Sequence, residues 1–164
     1  MKALAFGDGA QQHAQHNLWP RAEIETPSWN LYDPPKTANR RYERMLAYFV
    51  LQRVANLAVV DILKKWRALL KPGGELHVHV PSAEWFARQI LDPQQPSPFA
   101  LQHLFGLQLN EASFNLSAFT LLRLRQDCEK AGLAVREAKS YAYQIAINGQ
   151  VYQAEQHHVI GVKA

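Results

Sequence analysis

The spacing of apolar and polar positions divides the chain into short strands, three helices and a long carboxyl-terminal hairpin. Lys2 to Phe6 is a brief apolar run that stops at Gly7-Asp8-Gly9, as a buried strand does when it turns at a sheet edge. Between Ala10 and Arg41, Pro20, Pro27, Pro34 and Pro35 exclude a long helix and leave room for extended pieces near Ala22 to Glu25 and Trp29 to Tyr32. Arg44 to Tyr48 reads as a strand, and Phe49 to Val54 as a short helical turn.

Val59, Ile62, Leu63, Trp66, Leu69 and Leu70 recur at helical spacing, with Asp61, Lys64, Lys65 and Arg67 on the opposite face. That helix ends at Lys71-Pro72-Gly73-Gly74, where proline cannot continue it. Glu75 to Val80 alternates as a strand, Ser82 caps a helix to about Leu91, and Asp92 to Pro98 is a loop. Ser117 is expected to open a last helix with Leu121, Leu124, Cys128 and Ala131 on one side and Gly132 at its end. Leu133 to Ile147 and Gln150 to Lys163 then form a hairpin about Asn148-Gly149, two residues that accept positive φ. This order of elements implies an α/β fold whose sheet is mostly parallel, with an antiparallel strand at its carboxyl end.

Composition fits one soluble domain: 164 residues, 48% hydrophobic and 20% charged. The apolar runs fall far short of the ~18 residues of a spanning helix. Met1 to Phe6 breaks at Gly7 instead of continuing as a leader, so a cytoplasmic location is expected. The lone Cys128 excludes an intrachain disulfide. A net charge of +4, spread along the chain, gives no stripe that would track a phosphate backbone.

In such a sheet, ligands bind beyond the carboxyl ends of the strands where the order reverses, which places Gly7-Asp8-Gly9 at the candidate site. Glycine there lets a backbone approach a ligand closely, although the same tripeptide serves as a plain strand-ending turn. A carboxylate ending the second strand could accept from both hydroxyls of a ribose, and Glu25 and Asp33 are the two candidates. The seven histidines form no defensible metal site. His13 and His16 share a helical face without a carboxylate, His77 and His79 share one face of a strand, and His157 and His158 point to opposite faces. Cys128 on an apolar stripe reads as a buried inert thiol.

The segment Asp61-Ile62-Leu63-Lys64-Lys65-Trp66-Arg67-Ala68-Leu69-Leu70-Lys71-Pro72-Gly73-Gly74-Glu75-Leu76-His77-Val78-His79-Val80-Pro81 closely resembles the helix, Lys-Pro-Gly-Gly turn and strand of class I S-adenosylmethionine-dependent methyltransferases. Tyr42 to Val54 looks like that family's fourth strand and following turn. His103-Leu104-Phe105-Gly106 and Ser117 to Leu133 are similar to its late helix, so the resemblance covers most of the chain from Tyr42 onward. It implies a Rossmann-like, mostly parallel sheet with helices on both faces and a C-terminal antiparallel hairpin. It also implies a single methyltransferase-like domain over 1–164, with a trimmed cofactor-binding part at 1–41. By the same resemblance, Phe6, Gly7, Asp8 and Gly9 would cradle the methionine end of S-adenosylmethionine and Glu25 or Asp33 would hold its ribose. Tyr48, Phe49 and Leu51 would lie near the sulfonium or the adenine.

The sequence departs from the family where Gly7-Asp8-Gly9-Ala10 replaces Gly-x-Gly-x-Gly, and where Gln52-Arg53 replaces a Glu-His pair. The stretch from Asp33 to Tyr42 is also too short for the usual second helix and third strand. Three readings follow. They are a methyltransferase acting on a small molecule or glycan in preference to nucleic acid, a methyltransferase-like binding or scaffolding subunit without turnover, and a Rossmann-like nucleotide binder. An uncovered front edge, with Trp19, Trp29, Leu31 and Tyr32 available for contact, points to a homodimer or a partner-bound subunit.

Overall fold

A computed structural model describes residues 1–36, 40–92, 98–106, 114–147 and 149–164. Its elements are β1 (Lys2–Phe6), α1 (Ala10–His13) continuing as a π-helical turn (Ala14–Leu18), β2 (Glu23–Glu25), β3 (Tyr42–Tyr48), α2 (Val59–Leu69), β4 (Leu70–Pro81), α3 (Ala83–Leu91), α4 (Pro98–Leu104), α5 (Leu121–Lys130), β5 (Leu133–Ile147) and β6 (Gln150–Lys163). The six strands form one sheet in the order β2-β1-β3-β4-β6-β5. β1 pairs in parallel with β2 and β3, β3 pairs in parallel with β4, and β6 runs antiparallel to both β4 and β5. The chain steps from β1 to one side and then crosses back to the other, so the strand order reverses between β1 and β3.

Strand alternation decides which face each residue joins. Leu4, Phe6, Met45, Ala47, Leu76, Val78, Val80 and Val159 form the larger core with Ile62, Leu63, Trp66 and Leu69 of α2 and Leu124 and Cys128 of α5. Trp66 is fully buried, its ring edge-on to Phe6 and its indole N–H donating to Leu31 O at 2.8 Å. Ala3, Ala5 and Leu46 face the other way, against Ala10, Ala14 and Trp19. Small side chains at positions 3 and 5 let the α1 segment lie close on the sheet.

The Lys-Pro-Gly-Gly turn is an insertion within the ladder. Tyr42 pairs with Leu70 and Arg44 with Glu75, so the four residues between Leu70 and Glu75 loop out of register. Gly73 takes φ +72°, and a Cβ on Gly74 would stand 2.9 Å from Lys71 O, so glycine is required at both positions for different reasons. At the far end, Gln150 to Glu155 of β6 and Ala142 to Ile147 of β5 continue beyond Pro81, the last residue paired with β4. A two-stranded ribbon of ~20 Å therefore overhangs the carboxyl edge.

Three expectations are corrected. Ala10 to Leu18 is helical, because the prolines begin only at Pro20 and Ala10, Ala14 and Leu18 repeat every four residues along one side. Trp29 to Tyr32 is a turn, in which Asn30 Oδ1 accepts from the Tyr32 amide at 2.9 Å. The last helix is capped by Thr120, whose hydroxyl accepts from the Arg123 amide, while Ser117 donates to Val54 O at 2.6 Å. The Ser82 cap and both hairpin strands stand where the pattern put them, and the helix from Val59 does too except that it ends at Leu69, because Leu70 is extended and pairs with Tyr42 of β3. Most of the expected loop at Asp92 to Pro98, and Asn148 of the hairpin turn, lie outside the described residues.

Of the four side chains considered for association, Trp19 is buried, Trp29 and Leu31 pack against the larger core, and Tyr32 is exposed. No helix among the described residues is long and apolar enough to cross a membrane.

Candidate functional site

At the strand-order reversal, the loops after β1 and β3 meet at the carboxyl edge. Gly7 takes φ +111°, and a Cβ there would stand 1.9 Å from Tyr48 O and 2.8 Å from Val50 Cγ2. Its missing side chain is what lets the two loops touch. Gly9 takes φ +74° with no atom within 4 Å of its would-be Cβ, so its backbone is open to approach. Directly after β3, Phe49 takes φ +53°, one of two non-glycine residues with positive φ among the described residues, and its amide donates to His79 O at 3.0 Å. A bulky residue held in this region marks stored strain at the centre of the edge. Leu51 is buried in the turn that follows, and Gln52 clasps it by donating to Phe49 O at 2.7 Å. Arg53 reaches back across the edge to Asp8 at 3.0 Å.

Beside Gly9 opens a cleft of about 310 Å3 lined by Gly9, Gln12, His13, His16, Asn17 and Tyr48. The His13 ring stacks on Tyr48, with centroids 4.5 Å apart, and its Nδ1 lies 3.2 Å from the Asn17 carboxamide. Partial burial lowers the pKa of His13 and so favours the neutral ring. The overhanging ribbon lies against the same edge: Tyr143 packs on Phe49 at 5.3 Å, and burial raises its hydroxyl to about 12. Tyr48 is also raised by burial.

Below the cleft, the same sheet face carries a buried imidazole cluster. His79 lies edge-on to His13 at 5.3 Å and stacks on His158 at 4.1 Å. Its Nδ1 is 3.0 Å from Gln156 Oε1 and 2.9 Å from the Tyr141 hydroxyl, while its Nε2 is buried without a partner. His158 Nε2 lies 3.2 Å from His77 Nδ1, and His77 Nε2 lies 3.4 Å from Glu75 Oε2. Since a carboxylate only accepts, His77 carries its proton on Nε2, and His158 must then donate from its own Nε2. Burial, the largest effect on each, brings His77 and His79 down to about 4 and pushes His158 well below its ordinary value. Glu75 anchors the line. Burial acts to raise its carboxyl, but hydrogen bonds from Arg136 and His77 and the charge of Arg44 outweigh it and leave the pKa lowered.

The structure thus brings Phe6, Gly7, Asp8, Gly9, Tyr48, Phe49 and Leu51 together and leaves Glu25 and Asp33 apart from them. Glu25 lies level with Leu4 of β1, short of the edge, and its oxygens take Lys2 at 2.6 Å, Arg41 at 3.0 Å and the Tyr42 hydroxyl at 2.9 Å. Asp33 is exposed and pairs with Lys65 of α2 at 3.2 Å. His13, His16, Asn17, Tyr141 and Tyr143 were not singled out for this cleft. The i, i+3 and i, i+4 spacing of His13, His16 and Asn17 was the available signal, and it is readable only once Ala10 to Leu18 is seen as helix.

Another set of buried polar groups joins the helices to the hairpin. His157 Nε2 lies 2.6 Å from Glu84 Oε2 and its Nδ1 lies 2.8 Å from Ser140, while Glu84 Oε1 accepts from the Leu121 amide at 2.9 Å. These bonds tie the starts of α3 and α5 to the hairpin. Burial pushes the Cys128 thiol up to about 12, which makes it inert. No group of three or more His, Cys, Asp or Glu suited to a metal ion occurs among the described residues.

No family model and no curated protein matches the chain. Solved structures do match it. A protein from Bacillus halodurans assigned to the methyltransferases is 12% identical, with a TM-score of 0.61, 99% of this chain covered and 91% of that one. A 16S rRNA (adenine(1408)-N(1))-methyltransferase from Catenulisporales acidiphilia is 13% identical, with a TM-score of 0.58, 99% of this chain covered and 86% of that one. An O-methyltransferase family protein from Burkholderia thailandensis is 18% identical with a TM-score of 0.52, and the chain spans 42% of its length. The chain has the fold of class I S-adenosylmethionine-dependent methyltransferases.

Proposed function

We propose that the chain binds S-adenosylmethionine at the carboxyl edge of its sheet and transfers the methyl group to a small-molecule or glycan acceptor. The observation that carries this reading is the meeting of the β1 and β3 loops at the reversal of strand order, with an open Gly9 in one loop and a strained Phe49 in the other. The residues fit the methionine end. Asp8 and Arg53 present a carboxylate and a guanidinium side by side, the complement of an α-amino-acid zwitterion. Gly9 admits close backbone approach, and the half-buried Tyr48 and Phe49 supply apolar surface, with Phe6 and Leu51 buried behind them. Once bound, the cofactor supplies an electrophilic methyl group on sulfur. The protein's share is alignment and exclusion of water, which needs no dedicated acid or base.

The ribose finds no such match at this edge: Glu25 lies level with Leu4 of β1 with its oxygens engaged by Lys2, Arg41 and Tyr42, and Asp33 pairs with Lys65 of α2. That observation favours a second reading, a methyltransferase-like binding or scaffolding subunit without turnover. A small-molecule or glycan acceptor is preferred over RNA, the substrate of the rRNA enzyme above, because no Lys or Arg lines the cleft beside Gly9.

Titration calorimetry with S-adenosylmethionine tests the proposal. Heat of binding abolished by competing S-adenosylhomocysteine supports cofactor binding, and its absence defeats the methyl-transfer reading. Binding without S-adenosylhomocysteine release across a panel of hydroxylated and aminated acceptors selects the scaffolding subunit.

A further inference from the structure

We propose that the outer edge of β5 pairs with the same edge of a second copy of the chain, antiparallel about a two-fold axis at Ala142, so that two six-stranded sheets become one. The two free edges of the sheet differ. β2 is three residues long and carries Glu23 and Glu25, a short, charged edge that resists pairing. β5 is fifteen residues long, and among the described residues only β6 forms backbone hydrogen bonds to it. The direction of its unused groups follows from β6. The Glu155 carbonyl accepts from the Ser82 amide at 2.9 Å, on the β4 side, so the Ala142 amide and carbonyl opposite Glu155 point out from the sheet. No register shift interrupts the ladder from Glu137 to Ile147, and alternation gives Ala138, Ser140, Gln144 and Ala146 the same outward direction.

The devices that blunt a sheet edge are confined to the start of the strand. A bulge lies between Val135 and Glu137, and Lys139 is neutralised by Glu137 on its own strand. From Ser140 to Ile147 there is no charge, proline or glycine. The occupant follows from self-complementarity. A two-fold axis at Ala142 sets Ala142 against Ala142, Ser140 against Gln144 and Tyr141 against Tyr143, which is small against small, hydroxyl against carboxamide and ring against ring. Charge fits as well: Lys139 falls opposite position 145 and Glu137 opposite position 147, both uncharged, while the two stay paired within their own copy. An axis at Lys139 would set lysine against lysine, and one nearer the bulge would break the ladder. Because Tyr143 packs on Phe49, the pairing joins the carboxyl edges of the two copies through their ribbons.

Light scattering on the full chain, from micromolar to millimolar concentration, tests the pairing. A mass rising to twice that of the chain is expected. Ala142→Pro removes an amide that β6 does not use, so the fold should survive while the dimer dissociation constant rises by about tenfold or more. Ala142→Lys and Ala142→Glu each set like charges on the axis and should be monomeric alone, whereas an equimolar mixture of the two should recover the dimer. A parent that stays monomeric at every concentration, or a mixture that does, would overturn the pairing. A dimer that persists in Ala142→Lys and Ala142→Glu alike would overturn it too and assign association to another surface. Matched amide spectra of variants and parent separate these outcomes from misfolding.

Discussion

A Cβ on Gly7 would stand 1.9 Å from the carbonyl oxygen of Tyr48, whereas one on Gly9 would meet nothing within 4 Å. Two glycines separated by one residue therefore do different work. Gly7→Ala must push β3 away from β1 and also hold alanine at φ +111°, so a loss of at least ~3 kcal/mol in urea unfolding is expected. Gly9→Ala meets open space and only the left-handed strain, a cost of ~1 kcal/mol. Its fold should survive while S-adenosylhomocysteine affinity falls. Equal stability of the two variants would contradict the packing argument.

Asp8 and Arg53 form an exposed pair at the edge, so removing it should change stability little. If Asp8 instead receives the cofactor ammonium, Asp8→Asn loses a charge-assisted bond worth ~1.5–3 kcal/mol. Calorimetry should show at least a tenfold weaker Kd with an unchanged melting temperature. Unchanged affinity would remove Asp8 from the site.

Glu25 makes the opposite case. With Lys2, Arg41 and Tyr42 on its oxygens, Glu25→Gln should loosen the junction of β1, β2 and β3 by ~1 kcal/mol and leave S-adenosylhomocysteine binding untouched. A selective loss of binding at full stability would return the ribose role to Glu25.

The fold was legible where local pattern and tertiary role agree. The stripe Val59, Ile62, Leu63, Trp66 and Leu69 faces the core as its spacing requires, and the two hairpin strands keep their expected bounds. Ala10 to Leu18 was not legible, because its buried positions Ala10 and Ala14 are small and carry little periodic signal beside the prolines that follow. The glycines and the β3 end were correctly placed at the edge, since a strand-ending turn is a local property. The acidic partner was not, because whether Glu25 is free depends on Lys2, Arg41 and Tyr42, which meet it only through the strand register. The placement of the hairpin tyrosines depends on a register too: that of β6 against β4 carries Tyr141 to His79 and Tyr143 to Phe49.

The buried imidazoles make stability depend on pH in a window of their own. His77 and His79 are held neutral down to about 4, below the ~6.5 of an unfolded histidine, and His158, His13 and His103 are lowered as well. Between these values the unfolded chain binds more protons than the folded one, so their contribution is complete above pH ~6.5 and is lost as pH falls toward the folded values. Each histidine protonated only when unfolded contributes a slope of ~1.4 kcal/mol per pH unit. The lowered carboxylates, Glu25, Glu75 and Glu84, act below their unfolded values near ~4.3, so the interval from pH 6.5 to 5 belongs to the histidines. Urea midpoints measured across that interval should fall steadily for the parent chain. His158→Leu removes one titrating ring, and although it leaves His77 Nδ1 unpaired and lowers absolute stability, its slope should be shallower by about one proton. A flat profile in the parent, or an unchanged slope in the variant, would show that these rings are protonated in the folded chain.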